Sequence, residues 1–443
     1  MKHFNIRPLL RALCAAGVTV LSVQAIASGF QLFEQDGASV GNYHAGYAAE
    51  AADASTAFYN PAGITRIKNQ QIVLAGIGVA TNIKYQGTVS VSTIENNKQM
   101  TDTAQGGVFA FVPALHYVAP LTENTAFGFS VDVPFGMKVY YGRSTPLRYV
   151  STITSVTIVD ISPTYAFKVT DKISLGIGPD IQPARGSFNQ MGAVGNETEI
   201  LNSDGINSAS DTAYGFHLGG LYEFSPYTRV GLSYHSKVVH HLTGTSVFTG
   251  SLAVDPNLEG PTNPSGRNKL NITLPPYTAL SFYHRLQSPF AVMASVIYTQ
   301  WDTIQNLVLQ DVAGVSVNLD RSSNIVVTIP QYYHNTWNIS LGGDYFATDK
   351  ITLRSGIGYD QTPVSNENRN VQMPDNDRVV IAFGGHYQAS KAIGLDVGYM
   401  HLFIQKAHID PPAQVSGFEI TNTSGSVKAG ADVFSAQLTW NIA

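Results

Sequence analysis

Past Cys14 the chain has no cysteine. No disulfide can staple the bulk of it, and a large exported chain does without such staples when its fold is closed and extensive. Charge is also scarce: 13% of residues are charged, against about 25% in an ordinary soluble domain. After residue 27 no apolar run is long enough to cross a membrane as a helix. Gly76-Ile77-Gly78 belongs to a strand pattern and no helix follows it, so it is no phosphate loop. No energy-coupling segment is recognisable. What fills the place of charge is Gly, Ser, Thr, Asn and Tyr, mixed evenly with apolar residues. Alternating lipid-facing and lumen-facing positions produce that mixture.

The first 27 residues are expected to be an export signal. Lys2, Arg7 and Arg11 form the basic region, Leu13 to Ile26 the apolar region, and Ala25-Ile26-Ala27 a small-x-small cleavage site. The apolar region is shorter than the roughly 20 residues of a spanning helix. Arg11-Ala12-Leu13 before Cys14 is a poor lipobox. Without the three signal cations, 23 Lys+Arg stand against 31 Asp+Glu, a net charge of −8. That balance argues against nucleic acid as a partner.

From about Gln70 onward the chain alternates with period two. In 126–133, Phe127, Phe129, Val131 and Val133 share one face and Gly128, Ser130 and Asp132 the other. In 173–181, Ile173, Leu175, Ile177 and Ile181 oppose Ser174, Gly176, Gly178 and Asp180. The segments 351–359 and 394–399 read the same way. Six tight turns fall near 121–124, 169–171, 225–227, 287–289, 347–349 and 389–391. Longer polar stretches lie near 86–105, 142–149, 190–209, 246–268, 306–330, 361–376 and 408–427. Six short turns alternating with seven long loops predict an all-β fold, a 14-stranded antiparallel transmembrane β-barrel with both ends on the short-turn side. A soluble β-sandwich would need charged outer faces, and here one face of most strands is aromatic or aliphatic.

Residues 28–67 break the pattern. This segment is small, Ala/Gly-rich and without strand alternation, and ahead of a barrel it reads as a plug in the lumen. The division expected is 1–27 signal peptide, 28–67 plug and 68–443 barrel. Ser28-Gly29-Phe30 and Asn60-Pro61-Ala62-Gly63 resemble the FadL family of outer-membrane transporters for long-chain fatty acids and other hydrophobic compounds, including its TodX-like members. The segments 112–136, 148–178, 353–364, 373–378 and 395–403 are similar to family segments in order and spacing. One departure stands out. Outer-membrane strands usually end in an aromatic residue, and this chain ends Trp440-Asn441-Ile442-Ala443.

Two motifs gain meaning from the resemblance. By spacing alone, Asn60-Pro61-Ala62-Gly63 is a turn that stops a helix. The resemblance implies that this motif, with Phe30, gates the path to the periplasm. Pro134-Phe135-Gly136 interrupts the third strand, either ending it or bending it. A break in a barrel wall is tolerable only beside a cavity, and the resemblance implies a lateral opening there. Asp132, Asp180, Asp344, Arg354 and Asp396 are predicted to face the lumen, solvated or paired.

Other motifs have plainer readings. His240-His241 point apart on a strand, so no metal site is expected. Gly37-Ala38-Ser39-Val40-Gly41 matches a nucleophile elbow in letters, yet no strand precedes it. The chain is therefore expected to be no enzyme and to need no cofactor. It is expected to be a monomer of the bacterial outer membrane that carries a hydrophobic small molecule passively. Its further partners would be membrane lipid, lipopolysaccharide and the barrel assembly machinery. The alternative is a general porin for polar solutes, which would need an open lumen and charged constriction rings.

Overall fold

The computed structural model describes residues 29–92, 97–195, 200–287, 289–417 and 419–442. The expected export signal lies outside them. Among the described residues the sheet is a closed antiparallel barrel of fourteen strands. The first four are β1 (Gln70–Ser92), β2 (Asn97–Gln105 and Phe109–Pro120), β3 (Thr125–Tyr140) and β4 (Ile153–Lys168). Then come β5 (Ile173–Gly195), β6 (Ile200–Ser225) and β7 (Thr228–His235 and Val238–Gly250). β8 is Ser265–Gly266, Lys269–Leu274 and Tyr277–Arg285; β9 is Phe290–Thr299 and Asn306–Val315. β10 is Arg321–Pro330 and Thr336–Phe346, β11 Ile351–Asp360 and β12 Arg378–Gln388. β13 is Ile393–Ile404, followed by the short pieces Ala407–Ile409 and Gln414–Ser416, and β14 is Glu419–Ile442. Pairing of β1 with β14, from Gln70↔Ile442 to Ser92↔Ile420, closes the ring.

Alternation decides which face looks where. On β5 Ser174, Gly176, Gly178 and Asp180 are buried while Leu175 and Ile177 are exposed. On β11–β13 the exposed side chains include Leu353, Ile357, Ile381, Phe383, Leu395 and Val397. These outward side chains meet lipid, where a cation at mid-bilayer would cost about 2–4 kcal/mol. All six tight turns fall where the sequence places them, and backbone bonds such as Leu121 N to Thr125 O (2.9 Å) and Ala389 N to Ile393 O (2.9 Å) close them.

The opposite end differs from expectation. Much of the polar sequence at 86–105, 190–209 and 306–330 is strand. β1 and β2 stay paired as far as Ser92↔Asn97, and β5 and β6 as far as Gly195↔Ile200. Beyond the bilayer water solvates both faces of a hairpin, so the apolar alternation fades while the ladder continues. Of the seven long stretches, 142–149 and 361–376 hold no strand.

Residues 29–67 lie inside the ring. They contain a 3-10 turn (Ser39–Asn42), the short helix α1 (Thr56–Tyr59) and a second 3-10 turn (Pro61–Arg66). They touch every strand of the barrel. Backbone groups of the segment bond Gln71 on β1, His116 on β2, Pro134 on β3, Ser281 on β8, Ser295 on β9 and Gln437 on β14. Against β4, Thr164 meets the Ala57 carbonyl (3.5 Å). Elsewhere the wall presents glycine so that the segment can approach. A Cβ at Gly219 on β6 would meet Asn60 Oδ1 at 2.1 Å, and one at Gly231 on β7 would meet the Ala48 carbonyl at 1.7 Å. Gly176, Gly342, Gly356, Gly384 and Gly398 serve β5 and β10–β13 in the same way.

Candidate functional site

Asn60-Pro61-Ala62-Gly63 is built as a helix start. Asn60 is extended (φ −156°), its side chain accepts from the Ala62 amide (3.0 Å), and Pro61 occupies the first position of the turn, where its missing N–H costs nothing. The other end of the Asn60 amide donates to the carbonyls of Ala48 (2.6 Å) and Gly220 (3.1 Å). One side chain thus joins two parts of the inner segment to β6. Gly63 must lack a Cβ, which would stand 2.1 Å from Thr56 Oγ1. Replacing Asn60 by Ala removes these buried bonds, at a cost of about 1–3 kcal/mol. Amide exchange across residues 43–63 is expected to quicken while strand amides keep their protection. Unchanged exchange in that stretch would contradict the assigned role.

The second motif sits where the wall changes. The β2–β3 ladder runs only from Pro120↔Ala126 to Leu115↔Val131. Among the described residues, 110–114 and 132–137 form no ladder pair with each other. The strands approach again where the Tyr140 amide donates to the Gly106 carbonyl (3.1 Å). On its other side β3 bulges: Asp132↔Asp160 is followed by Phe135↔Ile158, so Val133 and Pro134 stand opposite one residue. The bulge turns Val133 inward, to 3% exposure, whereas alternation alone places it with Phe127 and Phe129 on the lipid face.

Freed backbone needs partners, and the N-terminal segment supplies them. Leu32 N donates to Pro134 O (2.8 Å) and Gly136 N to Phe30 O (2.8 Å). Gln35 bonds both the amide and the carbonyl of Val133 (2.8 and 2.9 Å). Residues 30–35 therefore stand where β2 would otherwise pair.

Phe30 and Phe135 meet above this junction. Their ring centroids are 5.7 Å apart, and Trp301 packs edge-on to both at 5.1 and 6.1 Å. Trp301 comes from a 3-10 turn (Trp301–Thr303) that interrupts β9 opposite the Pro275-Pro276 break in β8. Beside Phe30 lies a cavity of about 410 Å³, lined by Met137, Val156, Phe188, Ile272, Ile304, Leu307, Ile329, Tyr333 and Met373 with few polar groups. A second space of about 680 Å³ shares Thr154, Phe188, Ile329 and Gln372 with it and extends toward the long-loop end past Leu309, Val312 and Val327. From the 361–376 stretch Asp375 reaches down to accept from the Gly29 amide (3.1 Å) and Thr362 (2.6 Å). Burial pushes its carboxyl above the ordinary range against the opposing pull of Arg378.

The lumen charges form two groups. Arg354 bonds Asp396 (2.5 Å) and faces Asp344 (3.8 Å), and Asp396 also holds His386 (2.9 Å). Asp132 and Asp180 lie apart from these, on β3 and β5. His240 is buried and His241 exposed. Ser39 Oγ bonds Asp36 (2.5 Å) and His44 Nδ1 (2.9 Å) on a 3-10 turn, not at a strand-to-helix elbow. Trp301, Tyr333 and the Pro275-Pro276 break are absent from the sequence reading. Two adjacent prolines inside a strand run were the available signal.

A family model described as outer membrane protein transport protein (OMPP1/FadL/TodX) matches residues 18–441. Outer membrane protein P1 of Haemophilus influenzae is 28% identical, over 92% of this chain and 92% of that protein. The long-chain fatty acid transport protein of Salmonella typhi is 27% identical, over 87% of this chain and 90% of that protein. Among solved structures, a Pseudomonas aeruginosa FadL homologue superposes with a TM-score of 0.81 at 24% identity, covering 93% of this chain and 99% of that one.

Proposed function

The chain belongs to the OMPP1/FadL/TodX family of outer-membrane transport proteins, and from that premise we propose how it moves its substrate. It is a bacterial outer-membrane transporter for long-chain fatty acids or other hydrophobic compounds. The substrate enters from the long-loop end, settles in the apolar cavity beside Phe30, and leaves sideways between β2 and β3. The observation that carries this reading is the meeting of an apolar cavity with a gap in the wall at Phe30 and Phe135. A greasy molecule taking this route never re-enters water, which would cost about 0.8 kcal/mol per CH₂.

Residues 29–67 act as the plug. Their contact with all fourteen strands supports a closed resting state, and Asn60-Pro61-Ala62-Gly63 is the corner on which the plug shifts. Withdrawal of residues 30–35 would clear the gap between β2 and β3, because these residues bond the β3 backbone there. The protein works without catalysis, as a monomer, inserted by the barrel assembly machinery among lipid and lipopolysaccharide. A general porin is disfavoured, since its lumen must be open and polar.

The test is uptake of labelled oleate or toluene by cells whose own transporter has been removed. Expression of this chain is expected to restore uptake without admitting small sugars to liposomes. Sugar permeation with no oleate or toluene uptake would return the porin reading.

A further inference from the structure

Apart from the transport path, the wall beside the β3 bulge holds buried carboxylates for which the fold supplies few partners. Asp132 and Asp160 face each other across the β3–β4 ladder, both fully buried. No oxygen of either carboxylate makes a hydrogen bond. His116 Nε2 is 3.5 Å from Asp132 but is engaged by the Gln35 carbonyl at 2.8 Å, and the Gln182 side chain is the neutral polar neighbour beside Asp160. An unpaired buried carboxylate is costly as a bare anion, and a proton or a cation relieves that cost.

Ligand-bearing atoms are already gathered there. One atom each from Asp160 on β4, Asp180 on β5 and His235 on β7 lie within 4.8 Å of one another, all three side chains buried. His235 Nε2 is 3.3 Å from the Phe58 carbonyl. A proton on Nε2 leaves the lone pair on Nδ1, and a backbone carbonyl is a usual outer partner for a metal-ligating imidazole. Asp180 is oriented in turn by the His217 ring (2.5 Å), which also bonds Thr164 (2.9 Å). Two carboxylate oxygens and one imidazole nitrogen suit a divalent ion such as Zn²⁺, with a further position left for water.

We propose that Asp160, Asp180 and His235 form a divalent-cation site joining three strands of the wall to the inner segment through Phe58. The ion would neutralise carboxylates that now oppose one another, and it would hold α1 against β7. This site does not depend on the transport reading, and its test reads binding alone.

Protein purified from outer membranes in detergent, without chelator, is loaded with Zn²⁺ and analysed for metal content and by titration calorimetry. One Zn²⁺ per chain is expected, with a zinc absorption edge showing mixed oxygen and nitrogen ligands that include a single imidazole. Asp160→Asn and His235→Gln are each expected to weaken binding by more than about tenfold, while His241→Gln, on the exposed face, leaves it unchanged. Heat-modified migration on a gel shows that each variant is folded. Wild-type protein that takes up no Zn²⁺ overturns the proposal whatever the variants do. So does an edge dominated by several imidazoles, or folded Asp160→Asn and His235→Gln proteins that bind like wild type.

Discussion

Cells whose only transporter of this type lacks Pro134 are expected to take up labelled long-chain fatty acid no faster than cells with none, although the shortened barrel reaches the outer membrane in normal amount. The bulge contains one extra residue: Val133 and Pro134 together oppose one position between Ile158 and Asp160. Removing Pro134 restores an unbroken β3–β4 register and also removes the residue that cannot donate to a ladder. It keeps the inward set in phase, since Asp132 and Phe135 would then be two positions apart. On the other edge, continuing Leu115↔Val131 would set buried Ala114 and Val112 opposite Asp132 and Phe135. The strand can therefore close against β2, and residues 30–35 lose the backbone groups they now bond. Normal surface abundance with lost uptake is the expected pair of results. Full uptake through a straightened β3 would rule out the wall route and redirect the passage through the inner segment.

Deleting residues 29–62 is expected to convert a closed barrel into a conducting one. The intact segment reaches all fourteen strands. Its removal would expose the glycines of β5–β7 and β10–β13 and the serines and glutamine that bond it. That would be a polar lower lumen inside a wall whose ladders, the β2–β3 gap apart, do not depend on the segment, the condition under which a barrel conducts. In planar bilayers the intact protein should pass little current and the shortened one discrete, ohmic steps. Heat-modifiable migration would show that both are folded. Equal conductance in the two forms would mean that the segment does not occlude the lumen.

Much of the barrel was legible because membrane burial writes a strong period-two signal. Ser174, Gly176, Gly178 and Asp180 against Leu175 and Ile177 needs no tertiary information, and six tight turns fix the strand count. The signal stops at the bilayer edge, so hairpins such as 86–105 read as loops although they are paired. It also fails at the bulge, where one extra residue reverses the face of Val133. The prolines at 134, 275 and 276 mark places where the ladder is interrupted. No local pattern says what lies behind them. That Phe30, Phe135, Trp301 and Tyr333 converge on one cavity depends on residues up to three hundred positions apart. Strand glycines were legible as members of the inward face, but which residue of the inner segment approaches each of them was not. The buried carboxylates at 132, 160 and 180 were visible at most as inward positions, because nothing along the chain tells a solvated lumen charge from one sealed under α1.

The central claim is that the substrate passes from the apolar cavity through the gap between β2 and β3. The direct measurement is photo-crosslinking of a diazirine-bearing long-chain fatty acid to the protein in intact outer membranes, with adducts mapped by mass spectrometry. The account predicts adducts on Phe30, Met137 and Ile329 in the cavity and on Phe111, Phe135 and neighbouring residues along the gap. Adducts in the cavity accompanied by adducts on Ala51, Ala52 and the tight-turn end of the lumen, with none on 109–114 or 133–136, would contradict it.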